Sequence, residues 1–289
     1  MGGTMKGKIK SLLAGIGYFF LMLIIQGIVG GFAGAIIGFK MQTQGEAMNM
    51  DIITERMSSV LVYVGLIASI LTVLILWVIF SCRKLNLKKE ILLRSTKNSN
   101  LLSAAILGIF IWLVNTSWMD ILQGLGKFQG AFEKMQDITG GLVEGNIFVV
   151  ILVAGIIIPF SEEVIFRGCI FRALNKNMNI VATIIIQAIL FGLAHGNLIQ
   201  GMYTIPLGII LGYVVYRCNS IVPSMIIHMV NNIVAVVISM ALSGIEITLP
   251  IIIVMLVIGL IGVVLALRFI IKNNPKNKND YLEVDNTSI

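Results

Sequence analysis

Residues 147–168 read IFVVILVAGIIIPFSEEVIFRG, and two kinds of sequence meet in this stretch. Residues 147–158 carry no charge, whereas Glu162, Glu163 and Arg167 follow them closely. The apolar run is continuous and does not alternate as a membrane-barrel strand would, so it predicts a helix. Ionisable groups at the edge of hydrocarbon are costly. Three of them together indicate either a structural ion pair or a chemical role.

The whole chain has the same apolar character. Of its 289 residues, 57% are apolar and 12% are charged, against about 45–50% and roughly 25% in soluble domains. A spanning helix takes about 20 mostly apolar residues. We therefore predict an all-α, polytopic membrane helix bundle with about eight transmembrane helices. The predicted spans are Leu12–Phe39, Ser59–Phe80, Leu101–Trp118, Ile147–Phe160, Ile180–His195, Met202–Tyr216, Ile221–Ala241 and Leu249–Ile271.

The distribution of basic residues predicts the topology of this bundle. With both termini in the cytoplasm, 17 of the 21 lysines and arginines fall on the cytoplasmic side, as the positive-inside rule requires. The outside keeps Lys40, Arg56, Lys127 and Lys134. Anionic lipid headgroups then account for the net charge of +7, and nucleic acid is not predicted as a partner. We expect a multi-pass protein of the bacterial cytoplasmic membrane.

The chain divides into a single transmembrane domain, residues 1–271, and a polar tail, residues 272–289. Reactive side chains concentrate between residues 160 and 232, so we place the catalytic motifs there. The tail is rich in Asn and Lys, which predicts a disordered cytoplasmic segment. The sequence does not predict an oligomeric state.

The two adjacent glutamates are not equivalent on a helix. Glu163 and Arg167 are four residues apart, with the acid first, and so lie on one face in the favourable order for an ion pair. Glu162 lies about 100° away around the helix and points elsewhere. We therefore expect Glu163 and Arg167 to support the structure and Glu162 to remain without a basic partner.

The chain has two histidines, and each belongs to a pair spaced by four residues. Phe191 and His195 stand in FGLAH, and His228 and Asn232 stand in HMVNN. An aromatic ring one turn from a histidine can fix the imidazole and exclude water. A histidine and an amide on one face can stabilise an oxyanion, whereas Asn231 lies off that face.

These residues allow two versions of peptide hydrolysis. In one version, Glu162 takes a proton from water, and the imidazoles with Asn232 hold the tetrahedral oxygen. In the other version, Glu162, His195 and His228 bind Zn²⁺ with an open coordination position. Spacing alone does not separate these two versions. The HExxH motif of ordinary zinc peptidases is absent.

EEVIFR, FGLAH and HMVNN match, in order, the motifs EExxxR, FxxxH and HxxxN. The chain thereby resembles the CPBP (CAAX protease, or Abi) family of intramembrane proteases, which includes the type II CAAX prenyl endopeptidases. The resemblance implies that Glu162 is the general base and that Glu163 with Arg167 supports it. It also implies that His195 orients the water or the base. His228 and Asn232 would form the oxyanion hole.

We therefore expect an intramembrane endopeptidase that requires no cofactor in the favoured mechanism, with Zn²⁺ as the alternative. Because Glu162 falls at the cytoplasmic end of its predicted span, we expect the site to open towards the cytoplasmic leaflet. The expected partners are membrane lipid and a membrane-associated peptide or a prenylated-type substrate. A non-catalytic immunity or signalling-partner protein of the same family is the alternative. A transporter is disfavoured because the two halves show no inverted similarity.

Overall fold

The computed structural model describes residues 3–46, 49–143, 146–242, 244–245 and 247–274. Residues 275–289 of the predicted tail lie outside this part of the chain. Across the described residues the secondary structure is helical, without a strand. The helices are α1 (Met5–Thr43), α2 (Met50–Cys82), α3 (Leu87–Glu90), α4 (Asn98–Gly124), α5 (Gln129–Val143), α6 (Ile147–Asn175), α7 (Ile180–Ala194), α8 (Leu198–Cys218), α9 (Val222–Ala241) and α10 (Leu249–Asn273).

The all-α polytopic fold is confirmed, and each predicted span corresponds to a helix. Seven helices among the described residues are long and apolar enough to cross a membrane. The exception is α7, whose 15 residues reach about 22 Å and fall short of a hydrocarbon core of about 30 Å. The protein is a multi-pass membrane protein. The orientation of its termini remains a prediction.

The most informative difference from the predicted spans concerns α6. The prediction ended this span at Phe160, but the helix continues to Asn175 and contains the whole EEVIFR motif. Glu162 therefore lies near the middle of its helix, and the expectation that it lies at the cytoplasmic end is wrong. Arg167, which we counted among the cytoplasmic bases, is fully buried. The error arose because charged residues were taken to end a span, although paired charges can be buried inside one.

Two stretches of α6 are wound as π-helix, and they flank the glutamates. They span Ile151–Ile157 and Val164–Ile170. Pro159 lies between them, and proline cannot donate the backbone hydrogen bond that an α-helix expects at its position. π-Helical turns inside α-helices are rare and occur frequently at functional sites. The π-helical stretches of α6 thus indicate a functional site in the same stretch that carries the two glutamates.

The helix α6 has partners on several sides. It packs against α1, α2 and α9, while α4 packs against α9 and α10 and α7 packs against α8. Gly108 of α4 lies so close to α9 that an added Cβ would stand 2.7 Å from the carbonyl oxygen of Ile227. Large apolar side chains of the outer helices are exposed, among them Phe32, Trp77 and Leu265. In a membrane protein these side chains face lipid.

The helix α5, which the sequence did not predict, covers the turn between α7 and α8. Phe132 of α5 packs with Leu122 and Ile199 in a separate apolar cluster. The side chain of Asn197 in the turn donates to the backbone carbonyl of Ala131 at 3.5 Å. The helix α5 therefore holds the turn that follows His195.

Candidate active site

The centre of the site is a buried ion pair within α6. Arg167 Nη1 lies 2.9 Å from Glu163 Oε1, and both side chains are 0% exposed. Spacing of four residues on a helix produces this pair, so the predicted partnership of Glu163 and Arg167 is present. The same Oε1 atom accepts a hydrogen bond from His228 Nδ1 of α9 at 3.0 Å. Glu163 thus joins α6 to α9.

Glu162 has a different environment from its neighbour. Its Oε2 atom lies 3.6 Å from His228 Nε2, and its side chain is 16% exposed. This separation exceeds an ordinary hydrogen bond, and polar groups at such distances are often joined by a water. Glu162 is therefore the more exposed of the two glutamates. The imidazole of His228 lies between the two carboxylates, with one nitrogen towards each.

Phe191 of α7 is the ring around which the other groups are arranged. The guanidinium carbon of Arg167 stands 4.3 Å from the centre of this ring, a distance typical of a cation–π contact. The ring also meets His195 and His228 edge to face, at centroid distances of 5.1 Å and 5.5 Å. Phe191 is 0% exposed. One aromatic side chain thus fixes both histidines and the supporting arginine.

His195 occupies the end of α7. Its Nδ1 atom lies 2.9 Å from the carbonyl oxygen of Phe191, and a carbonyl can only accept, so Nδ1 carries the proton. In the neutral ring, Nε2 then has the lone pair. The helix ends here because Gly196 adopts a left-handed backbone with φ of 63°, the usual way for glycine to end a helix. The hydrogen bond within FGLAH therefore sets the orientation of the imidazole.

The amide of Asn232 is bonded to the backbone of α6. Its Nδ2 atom donates to the carbonyl of Ala154 at 3.2 Å, within the first π-helical stretch. Its Oδ1 atom accepts from Asn231 Nδ2 at 3.0 Å, and Asn231 Oδ1 accepts from Asn115 Nδ2 at 3.4 Å. An amide nitrogen carries two N–H groups, so the bond to Ala154 leaves Asn232 one further donor.

Two residues near the candidate site were not predicted from the sequence. Asn115 of α4 joins the amide chain, and Tyr203 of α8 lies within the electrostatic reach of Glu162. Neither belongs to a pair spaced by four with another reactive residue. Their role follows from helix packing, for which the sequence offered no signal.

The alternative zinc set was tested against the positions of its three ligands. His228 uses Nδ1 for Glu163 and turns Nε2 towards Glu162, while His195 ends a different helix. Among the residues that the structure describes, no three His, Cys, Asp or Glu side chains form a group suited to a metal ion. The choice between the metal-independent and the zinc-dependent version stays a prediction, and no chemical step below is assigned to a metal.

Comparison with known proteins agrees with the motifs. Residues 144–234 match a family model described as type II CAAX prenyl endopeptidase Rce1-like. This segment contains every candidate catalytic residue. No curated protein and no solved structure matches the chain. The matched model supports an intramembrane protease of the CAAX type. Residues 144–234 thus resemble the type II CAAX prenyl endopeptidases, in agreement with the CPBP (CAAX protease) family that the three motifs indicated.

Proposed function

We propose that this protein hydrolyses a peptide bond of a membrane-associated peptide or prenylated protein with water activated by Glu162. The observation that carries the proposal is the position of His228 between two unlike carboxylates. Glu163 is fully buried and neutralised by Arg167, whereas Glu162 is partly exposed, and no arginine in the described part of the chain lies within ion-pair distance of it. A general base must reach both water and substrate, and Glu162 is the carboxylate with that access.

The proposed reaction needs no covalent intermediate. Glu162 accepts a proton from a water molecule as the water oxygen attacks the substrate carbonyl carbon. The carbonyl oxygen becomes an oxyanion in the tetrahedral intermediate. Glu162 then delivers its proton to the leaving nitrogen while the carbon–nitrogen bond breaks. The products are a carboxylic acid and an amine, and Glu162 returns to its ionised form.

The remaining groups orient this reaction. Glu163 accepts from Nδ1 of His228 and so fixes the direction in which Nε2 points. With Nδ1 donating to Glu163, His228 can donate to the oxyanion from Nε2 only as the doubly protonated imidazolium, together with the free N–H of Asn232. Such donors contribute about 10²–10³ each to the rate. His195, fixed by its bond to Phe191, can orient the water through Nε2.

The substrate class follows from the depth of the site and from the matched family. Glu162 lies in the middle of a membrane-length helix, so a substrate must enter the bundle from the membrane or its surface. A peptide that carries a lipid group or an apolar segment reaches this depth. The family description names prenyl endopeptidases, which makes a prenylated C-terminal peptide the first substrate to test.

The test is cleavage of defined peptides by the purified protein in lipid nanodiscs. One arm of the library carries farnesylated C-terminal peptides, and the other carries unmodified apolar peptides of the same sequences. Glu162→Gln serves as the inactive form, and Glu133→Gln, an exposed glutamate of α5, serves as the matched control. Products are identified by mass spectrometry.

We expect cleavage by the wild type and by Glu133→Gln, and none above background by Glu162→Gln. Preference for the farnesylated arm would assign the prenylated substrate class. If no peptide in either arm is cut, or if Glu162→Gln cuts as well as the wild type, the proposed reaction is wrong. The non-catalytic partner function would then become the better interpretation.

A further inference from the structure

A cavity of about 220 Å³ lies away from the candidate active site, between α1, the end of α2, α3 and the last turns of α6. None of the proposed catalytic or supporting residues lines it. Its size exceeds the space for one water and is below the roughly 300–1,000 Å³ of pockets for drug-sized ligands. The bases that line it are Lys10, Arg83, Arg172 and Lys176.

These four bases give the cavity an excess of positive charge. The acid in its lining is Glu90, whose Oε2 atom lies 3.7 Å from Arg172 Nη2. One acid against four bases leaves a formal charge of +3. Lys10, Arg83 and Lys176 are exposed, whereas Gly168 and Cys169 at the floor are buried. A ligand can therefore enter past the bases and rest against α6.

The rest of the lining is both polar and apolar. Asn177 donates from Nδ2 to Ser11 Oγ at 2.9 Å, at one side of the cavity. Ala14, Tyr18 and Phe80 provide its apolar part. A phosphoryl group esterified to a glycerol backbone offers the matching combination of negative charge and hydrocarbon.

The position of the cavity favours a lipid as the source of this ligand. Its bases are among those that the positive-inside rule places at the cytoplasmic surface, where anionic lipids attract basic groups. Ile9 and Leu13, which neighbour Lys10 and Ala14 on α1, are exposed apolar residues. Acyl chains can lie along this surface while the headgroup enters the cavity.

We propose that this cavity binds the phosphate headgroup of an anionic phospholipid from the cytoplasmic leaflet. The bound lipid would join α1 and α2 to the end of α6, the helix that carries both glutamates. The site is independent of the proposed proteolytic reaction, because neither its residues nor its test depends on cleavage.

The experiment measures lipid binding by the full chain. Purified protein is titrated with phosphatidylglycerol or phosphatidylcholine, and the retained lipid is counted by native mass spectrometry beside thermal unfolding. Inorganic phosphate and glycerol 3-phosphate form separate arms. The cavity variant is Lys10→Gln, Arg83→Gln and Lys176→Gln together, which leaves the Arg172–Glu90 pair in place. The matched control changes three exposed lysines outside the cavity, Lys6, Lys88 and Lys89, to Gln.

We expect the wild type and the control to retain phosphatidylglycerol in preference to phosphatidylcholine. The cavity variant should bind phosphatidylglycerol roughly 100-fold more weakly, since each base near an anionic headgroup contributes about a factor of five. Equal losses in the two triple variants would overturn the proposal, as would equal retention of both lipids by the wild type. Saturable stabilisation by phosphate or glycerol 3-phosphate alone would replace the lipid by a soluble ligand. Should the triple variant fail to fold, Arg83→Gln alone is measured by the same criteria.

Discussion

The buried pair of Glu163 and Arg167 gives the most quantitative prediction about stability. At 2.9 Å, with an effective dielectric constant of about 20, the attraction between the two charges amounts to about 6 kcal/mol before desolvation is subtracted. Removal of one partner from a buried pair typically costs about 3–5 kcal/mol, because the other charge is left uncompensated. We expect a loss in this range from either Glu163→Gln or Arg167→Met.

A double-mutant cycle tests the physical reason for that cost. In the double variant neither charge remains, so the loss should fall short of the sum of the two single losses by at least about 2 kcal/mol. The free energy of unfolding is measured by denaturant titration in mixed micelles, with tryptophan fluorescence as the signal. Cleavage activity is not required for this measurement.

The chain supplies a matched surface pair as a control. Arg56 Nη2 lies 2.7 Å from Glu46 Oε2, but the two side chains are 38% and 33% exposed. The same cycle at this pair should give a coupling of about 0–1 kcal/mol. If the buried pair also proves additive within about 0.5 kcal/mol, then Glu163 is not held by Arg167 as the structure indicates.

Three further predictions concern the packing around the site, the packing of α4 against α9, and the dependence of cleavage on a metal. Phe191→Leu removes the ring that contacts both histidines and should lower the single-turnover cleavage rate at least about tenfold, with a stability loss of only about 1–2 kcal/mol; an unchanged rate would contradict a positioning role. Gly108→Ala places a Cβ 2.7 Å from a backbone oxygen of α9 and should cost about 1–3 kcal/mol in unfolding free energy. Its control is Gly27→Ala, where the added Cβ meets nothing within 4 Å and stability should rise by about 0.5–1 kcal/mol; equal effects would exclude close packing as the cause. Dialysis against a zinc chelator should leave the cleavage rate within about twofold of the rate before dialysis. A loss of activity that added Zn²⁺ restores would favour the metal-dependent mechanism.

Local spacing predicted those parts of the site that lie within one helix. The pair of Glu163 and Arg167 and the contact of Phe191 with His195 both follow from four-residue spacing. Neither depends on the packing of other helices, because the helical repeat alone brings such side chains together.

Contacts between helices could not be predicted in this way. The position of His228 between the two glutamates depends on how α9 crosses α6, and the bond of Asn232 to Ala154 depends on the same packing. The length of α6 was underestimated for a related reason. Glu163 and Arg167 neutralise each other and are buried inside the bundle, whereas composition alone reports only that these charges are present.

The central claim is that two adjacent glutamates have different tasks, and one comparison tests it directly. The single-turnover cleavage rate and the unfolding free energy are measured for Glu162→Gln and Glu163→Gln under identical conditions. We predict that Glu162→Gln lowers the rate by about 10²–10⁴ and changes stability by less than about 1 kcal/mol, whereas Glu163→Gln loses about 3–5 kcal/mol of stability. A Glu162→Gln protein that cleaves within threefold of the wild-type rate would contradict the account.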